Sequence, residues 1–217
     1  MTEDLDHTPA DRRRQRVRDM ILSAAERVLA TDGADGLSIR GLAEKIDYSP
    51  AAIYKYFKSK DELIDELKES FFAKLMAQVH DLHDETRPFA WRMRNAVATY
   101  VRIAVEKPHH YLAAFSGQIN EDGPSENDPE FGMSQKGAAF VMLKGLVQEG
   151  IDTGHLRGDL DASLAAKSVW ASMHGLAMMM AHVPIFPALK PNTETMPSGT
   201  FIELHADLVV RGLENRS

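Results

Sequence analysis

The 217-residue chain is 44% hydrophobic and 26% charged, enough apolar material for one large domain or for a small one plus a larger one. It has no cysteine, which excludes a disulfide framework and cysteinyl zinc sites and suits a reducing cytoplasm; no secretory signal opens it, and its most apolar stretch, 175–186, is shorter than the roughly 20 residues a bilayer span needs. The net charge of −7 divides into −4 over residues 1–11, +5 over 12–60 and −8 over 61–217, so positive charge is confined to one short segment, as expected if that segment alone meets phosphates.

In chain order, residues 1–11 read as a flexible acidic arm. Val17, Ile21, Ala24 and Val28 then form the apolar stripe of a first helix, which Gly33 and Gly36 end. Ser38 caps a short second helix with Ile39, Leu42, Ala43 and Ile46 inward. Asp47-Tyr48-Ser49 makes a tight break, with Asp47 tolerating a left-handed conformation. Ser49 caps a third helix with Pro50 at its first position, and Ile53 and Phe57 supply its buried side. Ser59 and Glu62 form a capping box for a fourth helix running through Leu63, Leu67, Phe71 and Leu75 to about residues 80–83. Further helices are expected at 88–105, 108–116, 131–149, 161–183 and 200–213, with loops at 120–130 and 184–199. No segment alternates as a strand would, so the fold class is all-α.

The second and third helices form a helix-turn-helix candidate. With Ile53 and Phe57 inward, Ala51, Ala52, Tyr54, Lys55 and Tyr56 stay wholly or partly exposed over about two turns. Small residues let backbone approach base edges, alanine methyls suit thymine methyls, and Tyr hydroxyls and Lys ammoniums suit phosphates. Lys60 stands beside the first amides of the next helix, and Arg40 is placed to reach a guanine edge or a phosphate.

The run from Leu37 to Leu67, LSIRGLAEKIDYSPAAIYKYFKSKDELIDEL, resembles the helix-turn-helix signature of the TetR/AcrR family of regulators. The resemblance rests on Leu37-Ser38-Ile39-Arg40, Leu42-Ala43, Ser49, Ile53-Tyr54, and Tyr56-Phe57-Lys58-Ser59-Lys60 followed by Glu62-Leu63. It implies base-edge roles for Arg40, Ala51, Ala52 and Lys55, and phosphate roles for Ser49, Tyr54, Tyr56 and Lys60. The turn position usually held by glycine is Asp47 here. Trp170, His174 and Gly175 also resemble the Trp…His-Gly pattern of one C-terminal subtype of that family. The implied organisation is a DNA-binding domain over residues 12–60 and a helical effector-binding and dimerisation domain over 61–217.

The segments 161–183 and 200–213 are apolar nearly all round and need cover on several sides, which a second copy of the chain would supply. Eleven methionines suit an adaptable cavity. Its candidate lining residues are Trp91, Tyr111, Phe115, Met133, Phe140, Trp170, Met173 and His174, each also readable as plain core, with His174 a histidine satisfied by backbone. His109 and His110 read as solvent-facing, and His80, His83 and Asp84 do not complete a metal site. No cofactor is expected and no enzyme signature is present. The expectation is a homodimeric cytoplasmic repressor that binds a double-stranded operator, does not enter a membrane, and is released by a small apolar or amphipathic effector. The alternatives are a helical enzyme or carrier, and a DNA binder of the same fold that senses nothing.

Overall fold

Thr8 starts the first helix of the computed structural model, which describes residues 8–80, 86–115, 125–126, 128–183, 186–187 and 197–215. The Thr8 hydroxyl accepts the Asp11 amide hydrogen at 3.2 Å, and the Asp11 carboxylate accepts the Thr8 amide hydrogen at 3.1 Å. Helix α1 (Pro9–Gly36) therefore begins inside the segment expected to be a flexible arm, with proline at the first helical position, where its missing amide hydrogen costs nothing. It bends at Gly33, whose φ of 70° would strain any residue with a side chain.

Helices α2 (Ile39–Lys45) and α3 (Pro50–Ile53) start under serine caps: Ser38 accepts from the Gly41 amide at 3.1 Å and Ser49 from the Ala52 amide at 3.2 Å. Asp47, between them, takes the left-handed φ of 56°. α3 is shorter than the two turns expected from its sequence. Its backbone tightens beyond Ile53, where the Lys55 and Tyr56 amides donate to Ala52 and Ile53 carbonyls three residues back, so that Phe57 turns into the core. Helix α4 (Lys60–His80) is capped by Ser59, which accepts from the Glu62 amide at 3.0 Å; the Glu62 carboxylate reaches past it to the Lys58 amide. His83 and Asp84 lie outside the described residues, and among those described no three metal-capable side chains cluster.

Helices α5 (Phe89–Glu106) and α6 (Pro108–Ala114) follow within one residue of expectation at their starts. The helix expected from residue 131 is broken instead. A single 3-10 turn (Phe131–Met133) gives way to extended Ser134, whose hydroxyl caps helix α7 (Gln135–Asp152) by accepting from the Gly137 amide at 3.0 Å. Gly137 permits this fold-back, because a Cβ there would lie 1.7 Å from the Phe131 carbonyl oxygen. Helices α8 (Ala162–His182) and α9 (Ser198–Leu213) complete the order; no strand forms among the described residues beyond one bridge between Leu156 and Glu214.

Two apolar cores result. The first joins Ile21, Leu29, Leu37, Leu42, Ile53, Phe57 and Leu63, and it includes Leu67 of α4 and Ala113 of α6. The second is built on α5, which packs against both α8 and α9, with the later half of α4, α6 and α7 around it. The buried Arg92 guanidinium of α5 makes a two-armed ion pair with Glu149 of α7, and Arg94 and Arg102 tie α5 to Asp207 and Glu203 of α9. No helix among the described residues is long and apolar enough to cross a membrane.

Candidate nucleic-acid interface and internal cavity

Ile53 and Phe57 are fully buried, and this fixes which way their neighbours face. Ala51, Tyr54 and Lys55 stand out on one ridge with Ser49 and Arg40 beside them, Tyr54 being 52% exposed. Ala52, Tyr56 and Lys60 are half-buried at its edges. Arg40 spends its charge on Glu44, one turn along α2, at 3.2 Å, although both side chains remain largely in solvent.

Sequence reasoning counted the arginines of α1 but gave them no role. Arg18 donates to the Tyr56 carbonyl at 2.8 Å, pairs with Glu66 of α4 and lies 4.4 Å from the centre of the Phe57 ring. Arg14 donates to the Lys55 carbonyl at 3.4 Å and sits over the Tyr56 ring. The two guanidiniums thus satisfy carbonyls left over where α3 ends, and they brace the ridge from behind. Arg12, Arg13 and Arg16 are exposed along the same helix. The dense run of arginine at 12–18 was the signal that could have marked this support.

The second core is hollow. A cavity of about 510 Å³ lies between α4, α5, α7 and α8, within the range of small-molecule sites. Phe115, Phe140, Trp170 and Met173 line it, as expected. Leu75, Met76 and Val79 of α4 line it too, as does Phe131; of these only Leu75 was singled out in the sequence, as part of an apolar stripe. Two expectations are corrected. Trp91 is 42% exposed with Arg87 over its ring, because the turn of α5 that buries Met93 points Trp91 to the other side. Met133 is 81% exposed because the 3-10 turn aims Phe131 inward in its place.

Tyr111 and His174 lie behind the wall rather than on it. The Trp170 indole N–H donates to the Tyr100 hydroxyl at 3.3 Å, the Tyr100 and Tyr111 hydroxyls are 3.2 Å apart, and the Tyr111 hydroxyl meets His174 Nδ1 at 2.5 Å. Burial, helped by the Lys136 ammonium, holds the His174 imidazole below its ordinary pKa, so the ring is neutral and Nδ1 accepts from Tyr111. Trp170 then donates to Tyr100 and Tyr111 donates to His174, while the Tyr100 proton lies between the Tyr111 oxygen and Nδ1, itself 3.3 Å from the Tyr100 hydroxyl; the remaining imidazole proton is on Nε2. The partners of His174 Nδ1 are the Tyr111 and Tyr100 hydroxyls, side chains rather than backbone. Burial raises both phenols, Tyr100 to about 12, so neither hydroxyl ionises near neutral pH.

Tyr111 belongs to α6, and so does Ala113, which is buried in the first core. His109 and His110, expected to face solvent, are half-buried; a Cβ on Gly33 would lie 3.8 Å from the His109 ring, at the bend of α1. One short helix therefore touches both the hydrogen-bonded wall of the cavity and the body that carries the Tyr54–Lys55 ridge. Its packing partners are chiefly α1 and α4, with α5 and α8 on the cavity side.

Comparison with known proteins agrees with this division. Residues 21–67 match the bacterial regulatory proteins of the tetR family, and residues 93–196 match the tetracyclin repressor-like C-terminal domain. An uncharacterized HTH-type transcriptional regulator of Haemophilus influenzae is 38% identical over 71 residues, a match spanning 33% of this chain and 38% of that protein. The HTH-type transcriptional repressor KstR2 of Mycobacterium tuberculosis is 24% identical over 159 residues, 70% of this chain and 78% of that one. A Rhodococcus protein of unknown function superposes with a TM-score of 0.72 at 25% identity, over 99% of this chain and 100% of that one. The regulator FadR of Bacillus subtilis, solved with stearoyl-CoA, gives 0.70 at 15% identity over 90% and 99%, which speaks to the fold alone. Both matched domains are those of transcriptional regulators, not of enzymes.

Proposed function

The chain belongs to the tetR family of bacterial regulatory proteins, and from that membership we propose that it is a homodimeric repressor released from its operator by a small apolar or amphipathic effector. Residues 12–60 would form the DNA-binding domain and 61–217 the effector-binding and dimerisation domain, with α4 shared between their cores. The observation that carries the reading is the continuity from exposed ridge to cavity through α6. Ala51, Ala52, Lys55 and Arg40 would face base edges, and Ser49, Tyr54, Tyr56 and Lys60 the phosphates, with each α3 in the major groove of one half-site. Dimerisation through α8 and α9 is supported by their outer face, where Leu164, Met179, Leu204 and Leu208 stand exposed; Leu208 is 61% exposed.

An occupant of the cavity touches Tyr100 and Trp170 directly. Any ligand that draws on either group disturbs the hydrogen bonding of Tyr111, and with it the seat of α6 against α1 and α4. Release requires the effector to prefer the arrangement in which the paired ridges no longer match successive major grooves, and it can weaken DNA binding only by that preference.

Titration of the purified protein on operators selected from random-sequence DNA tests the reading. Tyr54→Ala combined with Lys55→Ala should lower affinity about 30-fold and flatten its salt dependence by about one unit of slope, with the melting curve unchanged. Undiminished specific binding by that folded variant would overturn the docking. Leu208→Arg should yield monomers by sedimentation, and a persistent dimer would exclude the α8–α9 interface.

A further inference from the structure

The polar groups of the cavity are few, and their charges do not balance. Besides Tyr100, they are Ser125, Glu126, Lys136 and Lys167. Glu126 is committed: its carboxylate accepts from the Ser163 hydroxyl at 2.7 Å and from the Lys167 ammonium at 3.0 Å. Lys136 is exposed and forms no ion pair within 4.0 Å among the described residues. Its ammonium lies 5.7 Å from the centre of the Phe115 ring, another lining residue. The lining thus carries two ammoniums and one carboxylate on walls that are otherwise apolar. Both lysines are exposed at the edge of these walls, so an apolar occupant would leave their charges unused, an acidic head group would pair with them, and a cation would be repelled. The Glu126 carboxylate also demonstrates that the α8 rim of the cavity, Ser163 and Lys167, accepts a carboxylate in good geometry.

We propose that the natural ligand of this cavity is an amphipathic anion: an elongated apolar body bearing one acidic head group, with the body among Leu75, Val79, Phe140 and Met173 and the head on Lys136. Glu126 is the internal competitor for the second lysine. It holds Lys167 when the cavity lacks an acid and shares or yields it when one enters. This deepens the effector reading proposed above and rests on it. The chemistry is common to a free long-chain acid and to its thioester with a phosphate-bearing carrier, which places the acidic groups farther from the tail.

The full-length Trp91→Phe protein makes the test direct, because it leaves Trp170, on the cavity wall, as the sole tryptophan. Its fluorescence is titrated with palmitate, hexadecanol, hexadecyltrimethylammonium and palmitoyl-coenzyme A, which share a tail and differ in head. Palmitate should bind about tenfold more tightly than hexadecanol, the cation weakest of all. Lys136→Met should remove the advantage of palmitate while leaving hexadecanol unchanged, and Lys136→Arg should restore it. Glu126→Gln should tighten palmitate several-fold by freeing Lys167. A stronger response to palmitoyl-coenzyme A than to palmitate identifies the thioester as the source of the head group; the reverse identifies the free acid. Equal binding of acid, alcohol and cation, or palmitate binding indifferent to Lys136→Met, overturns the head-group assignment and leaves the cavity as an effector site. Silence with all four probes overturns the inference and the apolar-effector reading together. Operator affinity, measured on the same sample, reports separately whether the chain binds DNA.

Discussion

Around Ile53 and Phe57 the molecule is solid; around Trp170 it is hollow. In the N-terminal body every large apolar side chain from Ile21 to Leu63 that belongs to the core is close to fully buried, and polar groups work at its surface as caps and braces. In the C-terminal body the core surrounds about 510 Å³ of space and carries a hydroxyl and an indole in its wall, with a second hydroxyl and an imidazole behind them. A surface that reads DNA must hold its side chains in one geometry, which dense packing provides. A sensing surface must have two arrangements of similar free energy, which a cavity and an internal hydrogen-bond chain permit. Helix α6 is where the two kinds of construction meet.

Deleting an aromatic ring on each side sharpens that contrast most. Phe57→Ala should cost about 3–5 kcal/mol of unfolding free energy, since the tightly packed site cannot collapse. Phe140→Ala, on the cavity wall and already half-exposed to empty space, should cost less than half as much, and denaturant titration of both variants compares them directly. Similar losses would mean that the second core is as tightly packed as the first.

Tyr111→Phe isolates the junction. It keeps the ring that packs edge-on against Phe71 but removes the nearer donor to His174 Nδ1, leaving the Tyr100 hydroxyl 3.3 Å away, at a cost of about 1 kcal/mol in stability. Operator affinity without effector should change little, while the effect of a cavity ligand on that affinity should shrink severalfold. A fully responsive Tyr111→Phe protein would remove the hydrogen-bond chain from the coupling route.

The smallest expected effect is one of pH. His174 is held below its ordinary value of 6.5 by burial first and by Lys136 second, and His205 and His110 are lowered chiefly by burial. The unfolded chain therefore takes up these protons first as the pH drops. Their contribution to stability is complete above about pH 6.5 and is lost as the pH falls through the lowered folded-state values. Melting temperature should decline from about pH 7.5 to about pH 5.5, and His174→Gln should make that decline shallower. Two superimposable pH profiles would show that His174 titrates freely.

What could be read in the sequence follows the same division. The head is specified by local rules: Ser38, Ser49 and Ser59 cap the residues that follow them, Asp47 takes the left-handed turn, and the four-residue spacing of Ile53 and Phe57 puts both inward although α3 tightens between them. The start of α1 was as local, since Thr8, Pro9 and Asp11 form a box with proline behind its cap, yet an acidic count over 1–11 hid it. The cavity has no such local grammar. Trp91 and Met133 have the residue types of a lining but the wrong helical phase, and Met133 depends on the break at Ser134. Leu75 and Val79 repeat like any buried stripe; only the convergence of α4, α5, α7 and α8 leaves open space in front of them. Lys136 and Glu126 gained significance through neighbours distant in sequence, Phe115 and Lys167.

The coupling itself admits one direct measurement. Using the Trp91→Phe protein, operator affinity is determined by fluorescence anisotropy without palmitate and at saturation, with Trp170 emission confirming that the cavity is filled. The account predicts a drop in operator affinity of about tenfold or more, and a matching drop in palmitate affinity when operator is bound, since linkage is reciprocal. A filled cavity with unaltered operator affinity would contradict it.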